Sequence, residues 1–136
     1  MNLSRLFYEQ TNKTILDIQP IHGGDICDAY RAKLSDQTPI FIKTHSNVQM
    51  LQKEADGLHW LSQTQTISIP KIIAVGSKNH KMGFLALNWI ETNPSPAVQN
   101  WERLGRELAL LHKKSPGYFG WTSDNYLGFL PQHNPI

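Results

Sequence analysis

A chain of 136 residues, 40% apolar and 18% charged, suits one compact domain with its own core and excludes wholesale disorder. Its net charge of +2 is too small to mark a nucleic-acid or anionic-membrane partner. One cysteine excludes an intrachain disulfide framework, no apolar run approaches the ~20 residues of a spanning helix, and MNLSRLFYEQ lacks a secretory core, so a soluble, reducing, cytoplasmic setting is favoured.

Residues 3–11 put Leu3, Leu6 and Phe7 on one helical face, a short opening helix. Residues 14–21 alternate weakly and read as a strand that ends at Pro20, with Leu16 and Ile18 sharing one face and Ile15, Asp17 and Gln19 the other. Gly23, Gly24 and Asp25 make a turn, and residues 26–34 resume as a second strand. Ser35, Asp36 and Gln37 turn the chain into PIFIKTH (39–45), a third strand rich in β-formers.

Ser46 or Asn47 can cap the next helix, residues 47–63, which carries Met50, Leu51, Glu54, Leu58 and Leu61 at helical spacing. Residues 71–77 and 83–90 read as a strand pair joined by a turn at 78–81. Asn93, Pro94, Ser95 and Pro96 form a stiff linker. Residues 99–114 form the clearest amphipathic helix, with Trp101, Leu104, Leu108 and Leu111 on one stripe and Pro116 and Gly117 beyond its end. The tail from Tyr118 to Ile136 is aromatic, turn-rich and reads as irregular. Short turns between consecutive strands imply an antiparallel sheet, with one helix between the third and fourth strands: an α+β layout.

Three features stand in an order that suits a nucleotide. Gly23 and Gly24 let backbone N–H groups approach phosphate oxygens without a Cβ in the way. Lys43, on the third strand, offers a point charge to phosphates. Glu54, on the following helix, can pair with that lysine and orient it. Alternation sets Lys43 on one face with Phe41, an apolar surface for a base, and Ile40 and Ile42 on the other. Taken singly, Lys43 reads as a solvated edge-strand lysine and Glu54 as a solvated helix position; the ordered set is what points to nucleotide binding.

The segments GGDICDAYR (23–31), FIKTH (41–45), KEADGLHWL (53–61), IPKIIAVG (69–76), LNWIE (87–91), WERLGRELALLHK (101–113) and DNYLGFLPQHN (124–134) resemble consecutive blocks of the fructosamine (ketosamine) 3-kinase family. The likeness runs from residue 15 to 134, and GFLPQHN (128–134) resembles the family's G-x-x-P-Q-x-N segment, which aminoglycoside and choline kinases of the same fold lack.

This resemblance implies a protein-kinase-like fold. Residues 1–92 would be the nucleotide-binding N-lobe, with about five antiparallel strands and one αC-type helix, and residues 93–136 the linker, first helix and aromatic loop of the C-lobe. It implies ATP and Mg²⁺ as cofactors and a ketosamine whose sugar 3-hydroxyl takes the γ-phosphate, a step in deglycation. By position, Lys43 would hold phosphates, Glu54 would anchor it, Gly23, Gly24 and Asp25 would cover the phosphates, and Phe41 with Asn88, Trp89, Ile90 and Glu91 would flank adenine, Leu87–Glu91 being the hinge. Pro131, Gln132 and Asn134 would lie on the substrate side. The family often has an acid where Asn88 stands, which matters little because hinge contacts are mainly backbone.

In the family the catalytic aspartate and the Mg²⁺ ligands follow the G-x-x-P-Q-x-N block, so no catalytic or metal-binding residue is expected within 1–136, and this chain alone is expected to be inactive. The alternatives are a non-catalytic nucleotide-binding or interaction module, or an aminoglycoside- or choline-kinase-like relative. The apolar surface of residues 99–136 is the expected place for self-association. Cys27 reads as a packing residue, because Asp25 and Asp28 disfavour a thiolate. The six histidines show no metal-ligand spacing.

Overall fold

The structure, a computed structural model, describes residues 2–22, 26–79 and 81–135. Among these the elements run α1 (Leu3–Thr11), β1 (Ile15–Ile21), β2 (Asp28–Leu34), β3 (Pro39–His45), α2 (Val48–Gln63), β4 (Ile72–Lys78), β5 (Met82–Asn88), α3 (Val98–His112), β6 (Asn125–Leu127) and β7 (Leu130–Gln132). The first five strands form one antiparallel sheet of order β1-β2-β3-β5-β4. The α+β layout expected from the sequence holds, with α2 as the connection from β3 to β4.

Helices cover both faces of this sheet, and the strand alternation divides their work. Ile40 and Ile42 of β3 and Phe84 and Ala86 of β5 point to the α1 side, where Leu6 and Phe7 complete a core with Ala32 and Leu34. Leu85 and Leu87 of β5 point the other way, against Leu51 and Ala55 of α2. β5 lies between β3 and β4, so its residues Gly83–Leu87 are buried on both sides, as expected of a central strand. Phe7 and Phe84 meet at 5.6 Å, a tilted aromatic pair at the centre of the α1 side. Gly76 makes this possible: it faces Phe84 across the β4–β5 pair, and a Cβ there would lie 2.8 Å from the Phe84 ring.

The helix starts follow side-chain chemistry. Asn2 caps α1 by accepting from Ser4 N at 2.9 Å. For α2, Asn47 rather than Ser46 is the cap, accepting from Met50 N. α3 starts after Ala97 with no side-chain cap, and none of its residues is buried.

Three expectations need correction. Leu16 and Ile18 do not share a face: the pairing register shifts between Ile15 and Asp17, so Ile15 and Ile18 both join the α1-side core while Leu16 turns outward. β1 does not stop at Pro20 but runs to Ile21, because β1 is an edge strand and can spare the N–H that proline lacks. The tail is not irregular. β6 and β7 pair as a hairpin around Gly128, whose φ of +63° suits a residue without a Cβ.

Candidate functional site

A cavity of about 660 Å³ opens on the α2 side of the sheet, within the ~300–1,000 Å³ typical of small-molecule sites. Its floor is laid by alternation. Phe41 and Lys43 stand on the face of β3 opposite the buried Ile40 and Ile42, and Ala29 lies across from Lys43 on β2. Its wall is laid by helical spacing. Leu51 and Ala55 face the sheet, which leaves Met50, Lys53 and Glu54, at i, i+3 and i+4, to face the cavity.

Lys43 and Glu54 meet at this corner. The Lys43 Nζ donates to both carboxylate oxygens of Glu54, at 2.9 Å to Oε1 and 2.7 Å to Oε2. The lysine side chain is 25% exposed, so its charge is held on a wall that a ligand can reach. A strand lysine between apolar neighbours is costly unless paired, and this pair meets that cost while leaving one ammonium donor over. Cys27 stands nearby: burial pushes its thiol up, Lys43 works in the opposite direction, and Glu54 and Asp28 push it up further. The cause is thus burial first, with acidic neighbours behind it.

The remaining site residues distribute unevenly. Gly23, Gly24 and Asp25 lie outside the described residues. His22, just before them, lines the cavity. His45 does not act at the cavity; its Nδ1 accepts from Asn47 N at 2.9 Å within the β3–α2 turn. Asn88, Trp89, Ile90 and Glu91 leave the end of β5 and do not line the cavity. The Asn88 Oδ1 accepts from Lys71 N, and its Nδ2 donates to the Trp89 carbonyl, which stiffens this exit. Arg31 lies 4.8 Å over the Trp89 ring and 3.6 Å from Glu91, tying the segment back to β2.

Sequence reasoning missed the residues that close the cavity from the far side. The hairpin folds back on α2, and Asn125, Tyr126 and Gly128 line the cavity. Polar and aromatic contacts hold it there: Lys53 Nζ donates to Ser123 Oγ at 2.8 Å, and Trp60 and Trp121 meet edge to face at 5.2 Å. Asn134 is the hairpin's internal latch. Its Nδ2 donates to Asn125 Oδ1 at 2.9 Å and to the Ser123 carbonyl at 3.2 Å. Pro131 and Gln132 are exposed on β7. Only the turn glycine marked this hairpin in the sequence.

Among the described residues no three His, Cys, Asp or Glu side chains converge as they would to hold a metal ion. No helix among them is long and apolar enough to cross a membrane.

The chain has relatives among known proteins. The family model described as fructosamine kinase matches residues 1–136. A protein of Vibrio parahaemolyticus named "Probable ketoamine kinase" is 34% identical over 130 residues, covering 93% of this chain and 43% of that one. The chloroplastic protein-ribulosamine 3-kinase of Oryza sativa subsp. japonica is 35% identical over 124 residues, covering 88% of this chain and 35% of its own length. The crystal structure of a protein assigned as a fructosamine-3-kinase of Thermobifida fusca superposes with a TM-score of 0.81 at 28% identity, over 98% of this chain and 46% of that one. Another so assigned, from Haemophilus somnus, gives 0.84 at 22% identity over the same shares. The chain thus spans less than half the length of these relatives.

Proposed function

This chain belongs to the fructosamine kinase family, with a protein-kinase-like fold, and on that premise we propose that it is the ATP-binding part of a phosphotransferase acting on ketosamines in the cytoplasm. The reaction would move the γ-phosphate of ATP to the sugar 3-hydroxyl of a glycated amine, a step towards removing the adduct. The family match sets aside the aminoglycoside- and choline-kinase reading.

The observation that carries the proposal is the two-oxygen contact of Glu54 with Lys43 at the corner of an open cavity. In this reading Glu54 fixes the ammonium, and Lys43 directs its free donor at inner phosphate oxygens. Phe41 offers the base an apolar surface, and Gly23, Gly24 and Asp25 cover the phosphates. Asn88, Trp89, Ile90 and Glu91, which follow β5 past the Phe41 end of the cavity, would form the hinge at its edge, stiffened by Arg31. Pro131 and Gln132 stand towards the acceptor, and Asn134 sets the shape of their hairpin. Magnesium would arrive with the nucleotide and screen its phosphates.

Isothermal calorimetry tests the site directly. The 136-residue chain is expected to bind ATP, and Lys43→Met to weaken it by about tenfold or more, the value of a charge-assisted contact. Equal affinity in both proteins would remove Lys43 from the site.

A further inference from the structure

The cavity holds a second lysine that the reading above does not use. Lys53 sits one residue before Glu54 on α2 and lines the same cavity as Lys43. The two lysines differ in what offsets them. Lys43 is bonded by both oxygens of a carboxylate. Lys53 has no ion-pair partner within 4.0 Å among the described residues, and its hydrogen bond is to the neutral Ser123 hydroxyl at 2.8 Å. An ammonium has three donors, so two remain for other oxygens. Among the described residues Glu54 bonds Lys43 with both oxygens, whereas the Asp124 carboxylate acts on Lys53 only at longer range, with no ion pair within 4.0 Å.

Its place along the cavity is also informative. Lys43 belongs to the sheet floor beside Phe41, where a base and inner phosphates would lie. Lys53 belongs to the side closed by the hairpin, with Asn125 and Tyr126. A polyphosphate running from the floor towards the hairpin would bring its outermost group to Lys53.

We propose that Lys53, held by Ser123, binds the terminal phosphate of the nucleotide in this cavity, as a specificity-determining residue for triphosphate over diphosphate. The proposal rests on the nucleotide-site reading. Ser123 fixes the direction of the side chain, and the ammonium supplies a point charge where that phosphate's negative charge is greatest.

Calorimetric titration of the chain with ATP and with ADP tests it. Lys53→Ala should weaken ATP by about tenfold while leaving ADP within about twofold, and Lys53→Arg should restore most of the loss. Lys43→Met should weaken both nucleotides, which separates the two lysines. Ser123→Ala should weaken ATP less than Lys53→Ala does. Unchanged ATP affinity in Lys53→Ala would overturn the proposal, as would an equal loss for ATP and ADP. So would a Ser123→Ala loss as large as that of Lys53→Ala, because Lys53 would then act only as a fastener for the hairpin. If the unaltered chain binds neither nucleotide, the site reading itself fails; if Lys43→Met fails as expected and Lys53→Ala does not, only the terminal-phosphate role is lost.

Discussion

In α2, Leu51 and Ala55 are buried against β5, whereas in α3, Leu104 and Leu108 remain 43% and 41% exposed, although both helices repeat apolar residues at helical spacing. The difference is not in the helices. α2 crosses a sheet whose Leu85 and Leu87 turn towards it, while α3 follows the linker at 93–96 away from both sheet faces. What supports α3 locally is a set of i, i+4 ion pairs, Glu102 with Arg106 at 2.6 Å and Arg103 with Glu107 at 3.6 Å. Such pairs add only tenths of a kcal/mol, and a helix of this length is marginal in water without tertiary packing. An amphipathic repeat thus specifies a face, and the surface opposite decides whether that face becomes a core.

The largest expected effect tests this contrast directly. Phe84→Ala removes a fully buried ring that packs on Phe7, and should cost about 3–5 kcal/mol of unfolding free energy in chemical denaturation. Leu108→Ala, on the open face, should stay within about 0.5 kcal/mol. A Leu108 loss as large as that of Phe84 would mean that the α3 face is covered in solution and would erase the distinction.

An intermediate effect is expected at the hairpin, which packs on α2 but is held largely by polar contacts. Asp124 Oδ1 accepts from Asn134 N at 3.0 Å and pairs with His133 Nδ1 at 2.8 Å. The Asn134 backbone bond first, then His133, hold the Asp124 carboxyl below the usual carboxylate range. The folded value lies below the unfolded one, so this contribution is present above about pH 4 and is lost as pH falls through the folded value. Hydrogen exchange at the Asn134 amide, taken relative to the intrinsic rate of an unstructured peptide at the same pH, should therefore speed up below that pH. At neutral pH, Asp124→Ala should speed it by about fivefold, the size of one ordinary hydrogen bond. Exchange that ignores both changes would show that the Trp60–Trp121 contact, not Asp124, closes the hairpin.

The same contrast explains what could be read from the sequence. The sheet and its two helices were legible because burial imposes period 2 on β3 and period 3.6 on α2, and Lys43 and Glu54 occupy positions these periods fix. Leu16 was misplaced because a single bulge resets the alternation and leaves no mark in residue type. The hairpin was hidden because β6 and β7 have three residues each, too few to show a period, and β7 contains Pro131. Lys53 carries no signal that separates it from a solvated lysine. It becomes interesting only once Ser123, far along the chain, is brought against α2.

The smallest expected effect lies on the cavity wall itself, at Cys27. Burial is the first cause of its raised thiol pKa, with Lys43 opposing and Glu54 and Asp28 reinforcing. The thiolate is the reactive form, so at about pH 7 iodoacetamide should alkylate Cys27 several-fold more slowly than it alkylates a free thiol. Glu54→Gln removes a charge that disfavours the thiolate and frees Lys43 to favour it, so the rate should rise modestly. Saturating ATP should lower the rate instead, both by covering the wall and by adding negative charge beside it. These two changes act in opposite directions on one atom, so they distinguish electrostatics from simple access. If ATP leaves the rate unchanged while still binding, the nucleotide occupies some other surface, and the floor of β2 and β3 is not where it lies.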